Sequence, residues 1–423
     1  MMKFIDNKVI NMKNKLSRLV LAGVVSSALM LSSADTVFAA DSEDSLASAA
    51  AAYGHQVAPA RLGDSWDPAV KAEVEDFVAR HARYVEPAEN KTKAQQKRDN
   101  EKLLIKNRAL AVVELNQTAP LKDIAVLTAN YQIQHLAFGM TPDEMEECLK
   151  AGVASNTLSP AAFGKDNGNG RNVELSIVAD DVLKAYTSLY SNGLVSVSGI
   201  EDPDDSIIAR RDYQEFTAKM AWLFKAIHEV QPAEIAVQWL QYWSAGFTPY
   251  AYFRMSYNTL KAYDGQQPEF SYTSSSLADS SASSVNVVFN LDIKGSEQLR
   301  ELATILRDNV IDVAFVSSYP ADMTRAALDY YKIPAGHGMV AGANKVDIKG
   351  IYTIERNDVY HRSPATIDDK LKALQKDVMS LYKVKAPQLI ITDDSSSELC
   401  KSFQGAELVI QFNDDKAVDA IRK

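Results

Sequence analysis

The clearest succession of apolar runs and polar breaks lies in residues 285–320, VNVVFNLDIKGSEQLRELATILRDNVIDVAFVSSYP. The run VNVVFNL is apolar enough for a strand buried on both faces, and it ends in Asp292 and Gly295. Beyond Ser296, the residues Leu299, Leu302, Ala303 and Leu306 recur at three- and four-residue spacing, which predicts a helix with one face on a sheet. A second apolar run, 310–316, stops at Ser317 and Ser318. Strand, helix and strand in this order predict a right-handed crossover in a parallel sheet. Open α/β sheets bind ligands just past the carboxyl ends of such strands. Asn290, Asp292 and Ser317 are therefore candidate site residues, although each also suits an ordinary cap or turn.

The pattern continues to the C-terminus. It predicts a helix over 322–331, a glycine-rich connection over 336–350 without phosphate-loop spacing, and a strand over 350–354. An amphipathic helix follows over 367–381 with Lys370 in its first turn. A buried strand over 388–392 then ends in Asp393 and Asp394, with Glu398 opening a short helix. The expected close is a strand over 407–412 and a helix in the last ten residues.

The first half of the chain reads as helical. Val70, Val74, Phe77 and Val78 share one face, and KTKAQQKRDNEKLLIKNRALAVVEL predicts one long helix, solvated at its start. A buried helix is expected within 121–140, and Thr141-Pro142 before four acids is a strong helix start. Residues 167–172, NGNGRN, form a loop, and helical spacing resumes over 173–189 and 211–245. The aromatic band from Tyr242 to Tyr272 suits either a recognition surface for sugars or peptides or an apolar seam between domains. The serine-rich stretch 271–284 marks the boundary. The expected organisation is multidomain: a flexible lead over 40–63, a mostly α-helical domain over 64–270, a linker over 271–284 and an α/β parallel-sheet domain over 285–423.

Processing and composition narrow the function classes. A basic stretch over 12–18, an apolar stretch over 19–31 and small residues at Val37 and Ala39 predict a signal peptide over 1–39. The mature chain is then expected to be periplasmic or secreted, with no transmembrane segment after processing. A net charge of -10 without a basic face argues against nucleic acid. An exported compartment permits a disulfide between Cys148 and Cys400, and two buried thiols serve equally well. Gly-x-Ser-x-Gly and His-Glu-x-x-His motifs are both absent.

The sequence of motifs in 285–423, about a third of the chain, resembles the haloacid dehalogenase (HAD) superfamily of phosphohydrolases. That family has a strand ending in two aspartates one residue apart, a second strand ending in Ser or Thr, a Lys at a helix start, and a last strand ending in acids. Here Asn290 and Asp292, Ser317, Lys370, and Asp393, Asp394 and Glu398 stand in those places. The resemblance implies a three-layer, Rossmann-like sheet domain. It also implies Mg²⁺ held by Asp292 and Asp394, and a phosphate held by Asn290, Ser317 and Lys370.

Asn290 replaces the nucleophilic aspartate, and a neutral amide cannot form the aspartyl phosphate. The resemblance therefore implies a pseudoenzyme. It would need no cofactor, either bind Mg²⁺ or a phosphorylated small molecule weakly or serve a purely structural role, and use its helical domain to recognise a protein or cell-envelope partner. The competing readings are a Mg²⁺-dependent periplasmic phosphatase for phosphomonoesters, with Asp292 as the catalytic residue, and a peptide- or glycan-processing enzyme with its site in the helical half.

Overall fold

A computed structural model describes residues 62–82, 108–115, 123–153, 158–159, 173–274, 280–356 and 367–422, apart from a few single positions. The expected signal peptide, almost all of the lead, the lysine-rich run and the NGNGRN loop fall outside the described residues. Residues 58–423 gather into one unit.

The frame is a six-stranded, mostly parallel sheet whose middle strand comes from the first half of the chain. Strand β1 (Leu110–Glu114) is LAVVE, buried at every position, as a strand covered on both faces must be. It pairs in parallel with β6 (Asp312–Pro320) on one side and β10 (Leu389–Thr392) on the other. Outside these lie β7 (Gly338–Gly342), parallel to β6, and β11 (Leu408–Asn413), parallel to β10. With β12 (Lys416–Arg422) beyond β11, the order is β12-β11-β10-β1-β6-β7. The chain runs outward from β1 to β7 and returns on the other side of β1 as β10. The strand order thus reverses at the β1/β10 seam, which is where a doubly wound sheet opens a crevice.

Alternation along the strands sorts side chains into two cores. Ala111, Val113, Phe315 and Ile391 face one side, and Leu110, Val112, Val316 and Ile390 face the other. The second face is covered by α11 (Ile367–Ala373), its π-helical continuation Leu374–Met379 and α12 (Glu398–Ser402), through Leu374, Val378, Leu399 and Phe403.

The first face carries the helical layer. It includes α1 (Pro68–His81), α2 (Ile124–His135), α3 (Pro142–Gly152), α4 (Leu175–Ser191), α6 (Arg211–Val230), α7 (Ala233–Tyr242), α8 (Pro249–Tyr263), α9 (Glu297–Asp308) and α10 (Ala321–Tyr330), with the single-turn α5 (Asp205–Ile208) at its margin. Helix starts follow the sequence signals. Thr141 and Glu144 form a reciprocal capping box at α3, and Ser296 caps α9.

Several expectations change. Residues 110–114 form a strand where a helix was expected, so the helical half supplies the centre of the sheet. Strand β5 (Asn286–Asn290) is outside the six-stranded sheet and forms an antiparallel hairpin with β4 (Glu269–Thr273). Its pattern explains this: Val285, Val287, Phe289, Leu291 and Ile293 are buried in strict alternation, whereas Asn290 and Asp292 are exposed. The last residues form β12 (Lys416–Arg422), antiparallel to β11, where a helix was expected. Strand β9 (Tyr352–Arg356) pairs with β8 (Asn344–Val346) in a separate hairpin.

The aromatic band is mostly core. Trp243, Phe247 and Tyr252 are fully buried, while Tyr250 remains 61% exposed. The serine-rich stretch is anchored at both described ends. Ser271 lies within β4, and Ser274 Oγ accepts the Val285 N–H at 2.8 Å. On the far side, the N–H groups of Ser281 and Ala282 donate to Asp181, at 2.8 and 2.7 Å. Asp181 belongs to a sealed charge cluster in which Lys219 donates to it at 2.7 Å and also meets Glu215. None of the three is more than 1% exposed.

Candidate functional site

Three parallel strands end side by side at the seam, and each delivers polar groups there. Strand β1 delivers Glu114, only 4% exposed. Strand β6 delivers Ser317, which follows the register partner of Glu114, Val316. Strand β10 delivers Thr392 and Asp393. Lys370, in the first turn of α11, reaches over the same edge.

Glu114 joins these parts. Its Oε1 lies 3.5 Å from Lys370 Nζ, and its Oε2 accepts the Thr392 hydroxyl at 3.2 Å. Thr392 Oγ1 is also 3.5 Å from Asp393 Oδ1, so its single proton has two carboxylates within reach and serves one at a time. Lys370 is 6% exposed. Burial pulls its ammonium below the usual lysine range, and Glu114 and Asp393 pull it part of the way back. The ammonium is thus the counter-charge of both acids.

Ser317 is fully buried. Its Oγ accepts the Tyr319 N–H at 3.1 Å and sits 3.2 Å from the Thr324 hydroxyl in α10. Tyr319 is half-buried, and burial, with Asp123 and Asp393 nearby, pushes its phenol up to about 12. It stays a neutral hydrogen-bond donor at any ordinary pH.

Of the residues expected from sequence, Lys370 and the β10 terminus meet at this edge, with Ser317 on the adjoining strand. Asn290 and Asp292 belong to another network. Asn290 faces out from the β4–β5 hairpin, in register with Glu269. Asp292 pairs with Lys294 at 3.1 Å, and its N–H donates to Asp123. Asp394 is exposed and turns back on its own loop, accepting Ser396 N–H at 2.8 Å and Ser396 Oγ–H at 2.6 Å. These bonds to Ser396 hold its carboxyl below the usual range. Glu398 pairs with Lys401 on the surface.

Glu114 is the residue that sequence reading missed. Its signal was there, since the apolar run 110–113 ends on an acid and passes into Asn116, Gln117 and Thr118. Among the described residues no group of three or more His, Cys, Asp or Glu side chains is placed to hold a metal ion. No helix among them is long and apolar enough to cross a membrane.

No protein-family model and no curated protein matches the chain. A solved structure described as a conserved functionally unknown protein from Anaerococcus prevotii DSM 20548 is similar over 84% of this chain and 88% of that one, at 17% identity and a TM-score of 0.65. It shows the same fold. Two weaker similarities have TM-scores of 0.29, to a protein of unknown function from Bordetella pertussis Tohama I (10% identity, 72% and 89% covered), and 0.26, to a probable phosphoserine phosphatase from Vibrio cholerae (11% identity, 82% and 76% covered). Neither is close enough to argue from. The chain has a mixed α/β architecture with a mostly parallel, Rossmann-like sheet and separate helical regions.

Proposed function

We propose that the chain is a HAD-like pseudoenzyme that binds an anionic, phosphate-like ligand weakly at the β1/β10 seam without turning it over. The observation that carries this reading is the state of Glu114. It stands at the end of the central strand, where the family's nucleophile belongs, and both of its oxygens are already engaged by Lys370 and Thr392. Two residues on in the sequence is Asn116, outside the described residues, an amide where the family has its acid–base aspartate. An amide neither donates nor accepts a catalytic proton. Ser317, Lys370 and Asp393 follow in motif order, with Glu114 at the strand end in place of Asn290.

The fit to Mg²⁺ is poor. Asp292 and Asp394 are tied into their own loops, and Glu114 and Asp393 already share the Lys370 ammonium. A hard divalent ion prefers an uncompensated set of oxygens. An incoming phosphate would compete with Glu114 for Lys370, which keeps its affinity low.

The test is hydrolysis of p-nitrophenyl phosphate by purified protein with and without Mg²⁺. No turnover is expected. Mg²⁺-dependent turnover abolished by Glu114→Gln would establish the phosphatase reading instead. Turnover lost only with Asp292→Asn would return the site to the β4–β5 hairpin.

Export completes the proposal, supported by the basic, apolar and small-residue pattern of 12–39. Mass analysis of protein recovered from periplasm or medium should show the first 39 residues removed. A full-length cytoplasmic protein would sink it.

A further inference from the structure

Away from Glu114, a small cavity lies where the β6–α10 turn meets α7, α8 and the β8–β9 hairpin. Gln241, Ser244, Tyr252, Asp322, Asn344 and Tyr352 line it. Three of these bury a polar atom that no protein group meets: Gln241 Oε1, Tyr252 Oη and Asn344 Oδ1. All three residues are at most 1% exposed.

The amide nitrogens are spoken for. Asn344 Nδ2 donates to the Gln241 carbonyl at 2.9 Å and to Ser244 Oγ at 3.2 Å, and Gln241 Nε2 points to the Ser318 carbonyl at 3.5 Å. The unmet ends are therefore the two amide oxygens, which only accept. Asp322 adds a carboxylate that is 5% exposed. One of its oxygens accepts the Tyr352 hydroxyl, and Arg325 stands 3.6 Å from the other on the outer side. Burial pushes this carboxyl's pKa up, and the Tyr352 hydroxyl and Arg325 pull it only part of the way back, so its charged form is under-compensated.

The guest must bring positive charge or several donors, since the unmet groups are mainly acceptors. It must also be small, because the cavity of about 10 Å³ takes roughly one water-sized guest. Mg²⁺ keeps several of its waters when bound, and there is no room for them. The lining offers a single carboxylate, which matches a single charge.

We propose that this cavity binds a small monovalent cation, K⁺, Na⁺ or ammonium, through Gln241 Oε1, Asn344 Oδ1, Tyr252 Oη and Asp322. Such an ion ties α7 and β8 to the first turn of α10. The same turn carries Thr324, the neighbour of Ser317, so occupancy stiffens one wall of the anion site.

The test is thermal unfolding of the mature protein in chlorides of K⁺, Na⁺, ammonium and tetramethylammonium at equal ionic strength. The melting temperature should rise by about 2 °C or more with at least one small cation relative to tetramethylammonium. Asp322→Asn should abolish the difference. Rubidium-soaked crystals of the unmutated protein give an independent readout, an anomalous peak within the cavity. Equal melting in all four salts, or no anomalous peak there, overturns the proposal and leaves a single water as the guest.

Discussion

Glu114 Oε1 and Lys370 Nζ lie 3.5 Å apart at a largely buried strand edge, although one comes from the central strand and the other from a helix near the end of the chain. Removing either partner unbalances the charge at this edge. Lys370→Met leaves Glu114 and Asp393 facing each other without a cation and should cost about 3 kcal/mol or more. Glu114→Gln leaves Lys370 with Asp393 still beside it and should cost less, about 2 kcal/mol. The double variant should be more stable than the sum of the singles predicts, because Asp393 then loses its cation without also facing the Glu114 charge. Urea unfolding of the four proteins measures the coupling, and strict additivity would show that the pair is not an energetic unit.

That relationship marks the limit of what the sequence shows. Ser317, Lys370 and Asp393 were legible because an apolar run or an amphipathic helix delivers each to an end. Glu114 was hidden because ALAVVEL, following a run of Lys, Gln and Glu, fits helical spacing as well as strand spacing, and so short an apolar run cannot choose. The β5 misreading had a visible cure. Residues 285–293 place an apolar residue at every odd position and a polar one at every even position except Val288, which marks a strand with one buried face, whereas the parallel strands β1 and β10 are apolar at every position but their last. The charge cluster was illegible in another way. Glu215 and Lys219 are four residues apart and look like a surface pair, and only the packing of α6 on all sides buries them.

Acid should remove a stabilising charge at Asp181. Burial opposes its charge, but the Lys219 ammonium and the N–H groups of Ser281 and Ala282 outweigh it and hold the carboxyl below the usual aspartate range. A carboxyl with a lowered folded-state pKa contributes stability that is fully present above its unfolded value, about 3.9, and is lost as pH falls through the folded value. Stability measured from pH 5 downward should therefore decline, and Asp181→Asn should flatten part of that decline while lowering stability at neutral pH.

Gly246 should tolerate no side chain. Its φ is +83°, and a Cβ there would meet the Gly139 backbone at 2.3 Å. Its N–H donates to the Tyr352 carbonyl at 2.9 Å, and the Tyr352 N–H returns to Phe247 at 2.8 Å, so this contact joins the helical layer to the β8–β9 hairpin. Gly246→Ala should cost about 2 kcal/mol or more. By contrast, Gly193→Ala, also at positive φ but with open space around it, should cost only about 1 kcal/mol. Comparison of the two melting temperatures separates steric contact from backbone strain.

Cys148 and Cys400 should both titrate as thiols. They are buried in cores on opposite faces of the sheet and form no disulfide. Burial pushes the Cys148 thiol well up, which makes it unreactive. Alkylation of the native protein should be slow, and unfolding in denaturant should release two thiols per chain. Two alkylations only after reduction would contradict this arrangement.

The position of β1 also sets a timetable for synthesis. Ala111 pairs with Val313 and with Leu389, so the first strand of the sheet to leave the ribosome is the one that needs both late-coming neighbours. Until β6 emerges, the sequence LAVVE has no sheet partner on either side, and the seam cannot close before β10 follows. Such long-range pairing delays folding and prolongs the exposure of an aggregation-prone strand. The chain therefore reaches its native sheet only after nearly all of it has been made, and a holding chaperone would find its natural target in residues 110–114.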